Sequence, residues 1–226
     1  MFESVIFDWD GTLADTRDVI LASFHQALCE VVKLDVPDEF IERRIGVGAQ
    51  LTFREILEAK GVRVEEEVVK RLVAVKVRVA LEKVAEVRLF PGARDLLSSL
   101  KGNAKMGLAS MNNRQVIDRL LKVLNVDGFF SVVLTVDEVN KSKPDPEIFL
   151  KTAQKLGSIA RDCVVLEDSI FGVMAAKAGN MSCIAVAQGA YTSDELAKAN
   201  PDIIAASLQE KDVILKFIKT ANKTNS

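Results

Sequence analysis

The sequence predicts an α/β protein: a doubly wound parallel sheet with a small all-helical domain inserted after the first strand. From residue 90 onward, short apolar runs alternate with helical stretches of about a dozen residues, which is typical of parallel strands joined by helices. Before residue 90, a single apolar run is followed by successive helical patterns with no strand between them. Both ends of the chain are therefore expected to build one sheet, with the helices between them as an insert.

The strands of the predicted sheet are short apolar runs that end in polar residues. The first, "ESVIFDWD", suits a buried strand because its apolar residues are continuous. After Phe90-Pro91-Gly92, helices and strands alternate in the order ARDLLSSL, AKMGLAS, NRQVIDRLLKVL, FFSVVLTVD, PEIFLKTAQKLG, CVVLED, SIFGVMAAKAG and SCIAVA. A helix around 193–199, the strand DIIAA and a closing helix complete a core of residues 1–14 and 87–226.

The insert is predicted to be a helical cap of residues 15–86. Helices are expected at 16–32, 38–44, 49–59 and 64–86, with Gly61 and Val62 separating the last two. The last stretch is rich in valine, which favours strands, but its length and its regular charged interruptions favour a helix.

Composition excludes several classes of partner. The 226 residues are 49% hydrophobic and carry a net charge of −2, so the basic excess of a nucleic-acid-binding protein is missing. No apolar run reaches the ~18 residues that span a bilayer. Glu3 and Asp8 interrupt the start of the chain where a signal peptide would be basic and then apolar. We therefore expect a cytoplasmic protein whose partner is neither nucleic acid nor membrane; the sequence makes no prediction of oligomeric state.

Neither the cysteines nor the histidine indicate a site. Cys29, Cys163 and Cys183 are far apart and odd in number, so they are predicted to be buried free thiols in a reducing cytosol. His25, the one histidine, lies in a helical stretch and is expected on a helix surface or in packing. Any chemistry is therefore expected to use carboxylates.

Polar residues with a common chemistry follow the predicted strands. Ligands of such sheets bind at the carboxyl ends of the strands, which topology brings to one edge. The residues expected there are Asp8 and Asp10 after the first strand, Ser110, Asn112 and Asn113 after the second, Lys141 and Lys143 after the third, and Glu167 and Asp168 after the fourth.

Together these residues indicate phosphate chemistry with a metal ion. Several carboxylates in one place repel one another unless a cation joins them, and all-oxygen ligands suit Mg²⁺. A lysine and a serine opposite could hold phosphate oxygens, and a carboxylate can attack phosphorus. Each piece alone also has a plain structural explanation, such as a turn with a helix cap at Gly11 and Thr12 or a solvated surface at Lys143. Only the conjunction of four strand ends favours a site.

The same residues resemble the haloacid dehalogenase superfamily along nearly the whole chain. Its motifs are similar to "DWDGT" at 8–12, the strand-ending Ser110, Lys143 in "KPDPEIF", and "LEDSIFGVMAAKAG" at 166–179. The helical insert resembles the small cap that this superfamily places between its first two motifs. The sequence around Lys143 and Glu167 is similar to that of the branch that contains phosphoglycolate phosphatases and β-phosphoglucomutases.

This resemblance implies a role for each site residue. Asp8 would be the nucleophile and Asp10 the general acid and base. The phosphoryl group would be held by Gly11, Thr12, Ser110, Met111, Asn112 and Lys143, and the Mg²⁺ ion by Asp8, Asp10, Glu167 and Asp168. Arg43, Arg44, Gln50 and Arg54 of the cap are candidates for recognising the leaving group.

Single residues favour one chemistry within this superfamily. Dehalogenases and phosphonatases lack an acid at the position of Asp10, so its presence favours phosphate esters. Sugar phosphomutases of this branch usually have a histidine where this chain has Ile20, and an arginine where it has Ala49. We therefore expect a phosphatase acting on a small phosphate ester, with a phosphomutase as the alternative. A phospho-signalling receiver, which has no helical insert, and a non-catalytic binding module are the remaining alternatives.

Overall fold

The computed structural model of the chain describes residues 2–220, and its centre is a parallel sheet of six strands. The strand order is β5-β4-β1-β6-β7-β8, so the first strand lies in the middle between β4 and β6. The strands are β1 Ser4–Phe7, β2 Ala14–Asp15, β3 Arg88–Leu89, β4 Lys105–Ser110, β5 Val132–Thr135, β6 Cys163–Glu167, β7 Ser182–Val186 and β8 Ile203–Ala205. The helices are α1 Arg17–Val32, α2 Asp38–Glu42, α3 Ala49–Ala59, α4 Glu66–Glu82, α5 Ala93–Leu100, α6 Arg114–Val123, α7 Glu147–Leu156, α8 Ile170–Ala178, α9 Ser193–Ala197 and α10 Lys211–Thr220.

The sheet is covered on both faces, which confirms the doubly wound prediction. Val5 and Phe7 of β1 belong to one apolar cluster, and Ile6 between them belongs to a second. This division follows from strand geometry, since successive side chains point to opposite faces. Continuous apolar runs such as "SVIF" are therefore needed, because both faces of the central strands must be buried.

Helices α1–α4 lie between β2 and β3 in the chain and pack around an apolar cluster of their own. Leu28, Phe53, Ile56 and Leu72 are among its buried members. The chain enters and leaves this insert through an antiparallel ribbon in which Ala14 of β2 pairs with Leu89 of β3. Sequence analysis missed the ribbon because two-residue strands carry no periodicity.

Several predicted boundaries differ from the structure. The last helix of the insert ends at Glu82, and a separate 3₁₀ turn covers Val84–Glu86. Val84 and Val87 are buried in the core of the sheet domain, so the chain bends there to dock on the sheet. The third apolar run pairs only over Val132–Thr135, because Thr135 caps the turn that follows it.

The thiol prediction is wrong for one cysteine of three. Cys29 is exposed, whereas Cys163 and Cys183 are buried and all three are free. Cys29 follows the buried Leu28 on α1 and lies on the outer face of that helix. His25, on the same helix, is partly exposed, and its Nε2 atom lies 2.7 Å from Oδ1 of Asp38. Within residues 2–220, no helix is long and apolar enough to cross a membrane.

Candidate active site

The carboxyl edge of the sheet gathers the polar residues that the sequence scatters. Asp8 and Asp10 follow β1, Ser110 ends β4 and Glu167 ends β6. Because β1 lies between β4 and β6, these side chains meet around the end of the central strand. Lys143 comes to the same place from the loop after β5.

Lys143 joins two carboxylates at the centre of the site. Its Nζ atom donates to Oδ1 of Asp8 and to Oε1 of Glu167, each at 2.6 Å. The side chains of Lys143 and Glu167 are fully buried and that of Asp8 is 2% exposed. A buried ion pair is favourable only when its contacts are short and well directed. Losing one partner would leave the charge of the other buried and uncompensated.

Negative charge exceeds positive charge around Asp8. Burial raises the pKa of Asp8 above its usual range, and Lys143 only partly opposes this. The pKa of Asp168 is also raised, first by burial and then by Glu167 and Asp8. Burial acts to lower the pKa of Lys143, but the two neighbouring carboxylates outweigh it and raise that pKa. One ammonium thus faces three carboxylates, a set that favours taking up protons or a cation.

The donor atoms of this cluster suit a hard divalent cation. Asp8, Glu167 and Asp168 each offer an oxygen within 4.8 Å of the others. Oδ2 of Asp8 is buried without a hydrogen-bond partner among the described residues. Oε2 of Glu167, in contrast, accepts from the backbone N–H of Ser169 at 2.8 Å. All-oxygen sets of this kind match Mg²⁺, and Oδ2 of Asp8 is the oxygen of this set that is buried without a partner within residues 2–220.

Thr12 and two glycines set the position of the acids after β6. Thr12 donates its hydroxyl to Oδ1 of Asp168 at 3.1 Å. A Cβ atom at Gly189 would lie 1.8 Å from Oδ2 of Asp168, and one at Gly172 would lie 1.8 Å from Oε1 of Glu167. Both glycines are therefore needed for the carboxylates to fit. Sequence analysis did not assign them, although a glycine in the first turn of α8 is a recognisable signal of close approach.

Asp10 faces a different set of partners from Asp8. It is 5% exposed, and Ser110 Oγ and Asn112 Nδ2 each lie 3.4 Å from its carboxylate. Ser110 Oγ also accepts the backbone N–H of Asn112 at 3.0 Å. The two aspartates thus occupy different surroundings, one ion-paired and the other among neutral donors.

Gly11 and Met111 lie at the site but offer it little by hydrogen bonding. The N–H of Gly11 donates to the carbonyl of Ala14 at 3.0 Å, which closes the turn after β1. Met111 is buried and lines the cavity beside Asp10.

Lys76 is a site residue that sequence analysis missed. It lies on α4 of the insert, is 3% exposed, and donates from Nζ to Oδ1 of Asn112 at 2.8 Å. Burial lowers its pKa, and Asp10 opposes that effect. It forms no ion pair with any residue in 2–220. The signal was present, because Lys76 occupies the same helical stripe as the buried residues Val69, Leu72 and Val79.

A small cavity of about 30 Å³ lies between the insert and the sheet. Asp10, Asn112, Lys76 and Ile20 are among the residues that line it. Because Lys76 and Ile20 come from the insert and the other two from the sheet domain, this space is closed only when the two parts are packed together.

The four basic or amide candidates of the insert do not converge. Arg44 lines the cavity, but its Nε atom is bonded to Glu55. Gln50 donates to Glu66 at 3.2 Å, and Arg54 is bonded to the same carboxylate. Arg43 is not among the residues that line the cavity, and its guanidinium donates instead to Ala190 and Glu195 of the sheet domain.

Comparison with known proteins agrees with these observations. The sequence profile of the haloacid dehalogenase-like hydrolases matches residues 5–186. A phosphorylated carbohydrates phosphatase of Thermotoga maritima is 31% identical over 220 residues, covering 96% of this chain and 98% of that protein. A beta-phosphoglucomutase of Bacillus subtilis is 28% identical, over 83% and 84% of the two chains.

The fold is shared with solved structures at the same level of similarity. The crystal structure of a hydrolase from Pseudomonas syringae superimposes with a TM-score of 0.85 at 27% identity, over 99% of this chain and all of that one. The profile, the relatives and the arrangement of acids around β1 lead to one conclusion. The chain belongs to the haloacid dehalogenase-like hydrolases, in the branch that also holds phosphoglycolate phosphatases and beta-phosphoglucomutases.

Proposed function

We propose that the chain is a Mg²⁺-dependent phosphatase that hydrolyses a small phosphate monoester through an aspartyl-phosphate on Asp8. The observation that carries the proposal is the pairing of Asp8 Oδ1 with Lys143 at 2.6 Å, while Oδ2 of Asp8 has no hydrogen-bond partner in the described part of the chain. A carboxylate held in this way is oriented for attack by one oxygen. The names of relatives as phosphatases support the same class of reaction.

In the first step, the Asp8 carboxylate attacks phosphorus and the bond to the leaving oxygen breaks. Asp10 donates a proton to that oxygen so that an alcohol departs. In the second step, Asp10 takes a proton from water, which attacks the phosphorus of the aspartyl-phosphate and releases inorganic phosphate. One residue thus acts first as acid and then as base.

Lys143, Ser110 and Asn112 would bind the phosphoryl oxygens during both steps. Their ammonium, hydroxyl and amide groups are already fixed by burial and hydrogen bonds, so little reorganisation is needed when charge develops. Mg²⁺, held by Asp8, Asp168 and the carbonyl of Asp10, with Glu167 acting through water, would offset the negative charge of the phosphoryl oxygens.

The helical insert is proposed to be a cap over this site, with residues 15–86 as its extent. Lys76 supports this because it reaches from α4 to Asn112 beside Asp10. The described partner of this buried ammonium is the neutral amide of Asn112, and an oxygen-rich or anionic leaving group would complete its hydrogen bonds. Phosphorylated carbohydrates, the substrates named for the Thermotoga relative, have such leaving groups.

A phosphomutase is the second candidate, because one relative carries that name. Ile20 argues against it. Its side chain lines the cavity at Asp10, where a histidine could exchange protons with a sugar hydroxyl and an isoleucine cannot. Water would then be the acceptor of the phosphoryl group.

The test is hydrolysis of p-nitrophenyl phosphate and a panel of sugar, glycolate and nucleoside monophosphates. Phosphate release should stop in excess chelator and return with Mg²⁺ better than with Ca²⁺, since calcium takes more ligands at longer distances. Asp8→Asn is the matched inactive control. Turnover in excess chelator would contradict the metal-dependent mechanism. Interconversion of glucose phosphates, without release of phosphate, would establish the mutase instead.

A further inference from the structure

Arg43 connects the insert to the sheet domain through contacts that reach across about 150 residues of sequence. Its Nη2 atom donates to Oε1 of Glu195 at 2.7 Å, and its Nη1 atom donates to the carbonyl of Ala190 at 3.3 Å. The guanidinium lies over the ring of Tyr191, 4.9 Å from its centre. The Tyr191 hydroxyl in turn donates to the carbonyl of Arg43 at 2.8 Å. We call these three side chains the Arg43 clasp: Arg43, Tyr191 and Glu195.

The clasp is more than one exposed ion pair. The side chains of Arg43 and Glu195 are 34% and 28% exposed, and Arg43 uses both its side chain and its backbone. Glu195 is fixed from the other side as well, because its carboxylate accepts from the backbone and hydroxyl of Thr192 at the start of α9. Arg43, followed by the Thr192 hydrogen bonds, lowers the pKa of Glu195 to about 2, so the pair stays charged at neutral pH.

The segment that receives Arg43 also carries Gly189, which lies directly against Asp168. A Cβ atom at Gly189 would approach Oδ2 of Asp168 to 1.8 Å. Beside this carboxylate lies a cavity of about 170 Å³, and its lining includes Asp168, Gly189 and Ala190 from the sheet domain and Ile45 from the insert. Ala190, whose carbonyl accepts from Arg43, thus lines the cavity beside Asp168 together with a residue of the insert.

We infer that Arg43, with Tyr191 and Glu195, is a positioning residue: it holds the insert closed on the segment 187–192 and keeps Asp168 in place through Gly189. Sequence analysis offered Arg43 as a contact of the leaving group; this inference gives it a different role. The inference rests on the proposed function for its consequence in catalysis, but the contact itself can be measured without turnover.

The first measurement is amide hydrogen exchange of the full chain, which reports local opening. Arg43→Gln and Glu195→Gln should each speed exchange in residues 187–195 by about three- to tenfold, as expected for losing a partly exposed ion pair with a charged hydrogen bond. Arg78→Gln is the matched control, because the ion pairs that Arg78 forms within residues 2–220 are with Glu30 and Glu82, both inside the insert. It should leave exchange in 187–195 unchanged.

The second measurement is the affinity for Mg²⁺ alone by calorimetry. Arg43→Gln should weaken binding by about threefold or more, in line with the same loss, while Arg78→Gln should not. The double variant Arg43→Gln, Glu195→Gln should be no worse than the poorer single variant, because both remove one contact. Arg43→Lys keeps the positive charge but not the planar set of guanidinium donors, and should recover part of the lost Mg²⁺ affinity.

Kinetics with p-nitrophenyl phosphate supply the functional readout. Arg43→Gln should raise KM with little change in kcat, because part of the free energy of substrate binding is then used to close the insert on the sheet domain. A loss of folded enzyme would instead lower kcat at constant KM. The inference is overturned if Arg43→Gln matches Arg78→Gln in exchange or in Mg²⁺ affinity. If the wild-type enzyme showed no turnover, the proposed phosphatase function would be wrong. Hydrogen exchange and Mg²⁺ affinity would still show whether the Arg43 clasp holds the insert on residues 187–192.

Discussion

Replacing Lys143 by methionine is the substitution that should disturb the site most. Methionine keeps much of the length and volume of lysine, so packing changes little. The ammonium, however, is removed from two carboxylates that it contacts at 2.6 Å. Asp8 and Glu167 would then be buried next to each other with no described cation beside them.

The size of the effect follows from this geometry. Removing one partner of a buried ion pair costs about 3–5 kcal/mol, because the remaining charge stays desolvated. The pKa of Asp8 is already raised by burial, so the carboxylates can relieve part of the cost by taking up protons. In chelator, we expect Lys143→Met to lower the free energy of unfolding by about 3 kcal/mol near neutral pH and by less near pH 5.

Urea unfolding in excess chelator measures this loss, with Lys141→Met as the control. Lys141 is exposed, and its ammonium pairs with Asp145 at 3.2 Å, so its loss should cost less than about 1 kcal/mol. In catalysis, Lys143→Met should remove about 2–4 kcal/mol of transition-state stabilisation. Equal unfolding curves for the two variants, or a loss for Lys143→Met that is the same at both pH values, would refute the reasoning.

Three further predictions test other parts of the site. Burial raises the pKa of Asp8 and Asp168 above their values in the unfolded chain. Without metal, the free energy of unfolding should therefore fall as pH rises from about 4 toward 8. In scanning calorimetry, Mg²⁺ should then raise Tm more near pH 8 than near pH 5. Gly172→Ala should lower Mg²⁺ affinity at least tenfold (about 1.4 kcal/mol) in calorimetric titration, because the Cβ atom of the alanine would lie 1.8 Å from Oε1 of Glu167. Unchanged affinity would show that the Glu167 carboxylate has room to move. Lys76→Met should leave the free energy of unfolding unchanged or raise it by about 1 kcal/mol, since a buried charge is removed. It should nevertheless lower kcat/KM for a sugar phosphate more than for p-nitrophenyl phosphate. A loss of stability without a change in kcat/KM would contradict the proposed contact of Lys76 with the leaving group.

The fold and the residues on the sheet could be predicted because topology alone brings them together. Asp8, Ser110 and Glu167 each follow an apolar run, and parallel strands place such positions on one edge whatever the details of packing. Lys143 was expected at the same edge as a group that holds phosphate oxygens, whereas its ion pair with Asp8 was not predicted.

Residues of the insert could not be predicted in this way. Whether Lys76 or Arg44 reaches Asp10 depends on how four helices pack on one another and then on the sheet, and no single periodicity contains that information. Arg43 illustrates the limit. Its partner Tyr191 lies in the loop before α9 and Glu195 lies in the first turn of α9, and the sequence predicts that helix without revealing where it lies relative to the insert. Gly189 was missed for a related reason: its importance comes from Asp168, which approaches from another strand.

In the proposed reaction, Asp8 becomes phosphorylated while Asp10 transfers protons. In Asp10→Asn, p-nitrophenol can depart without a proton donor, but water then lacks its base, so the intermediate should accumulate. Rapid quench and mass spectrometry of this variant should find one phosphoryl group on the peptide that contains Asp8, together with a burst of p-nitrophenol and slow turnover. Asp8→Asn should show neither burst nor phosphopeptide. Turnover by Asp8→Asn, or equal loss in Asp10→Asn for aryl and alkyl phosphates with no phosphorylated peptide, would contradict the account.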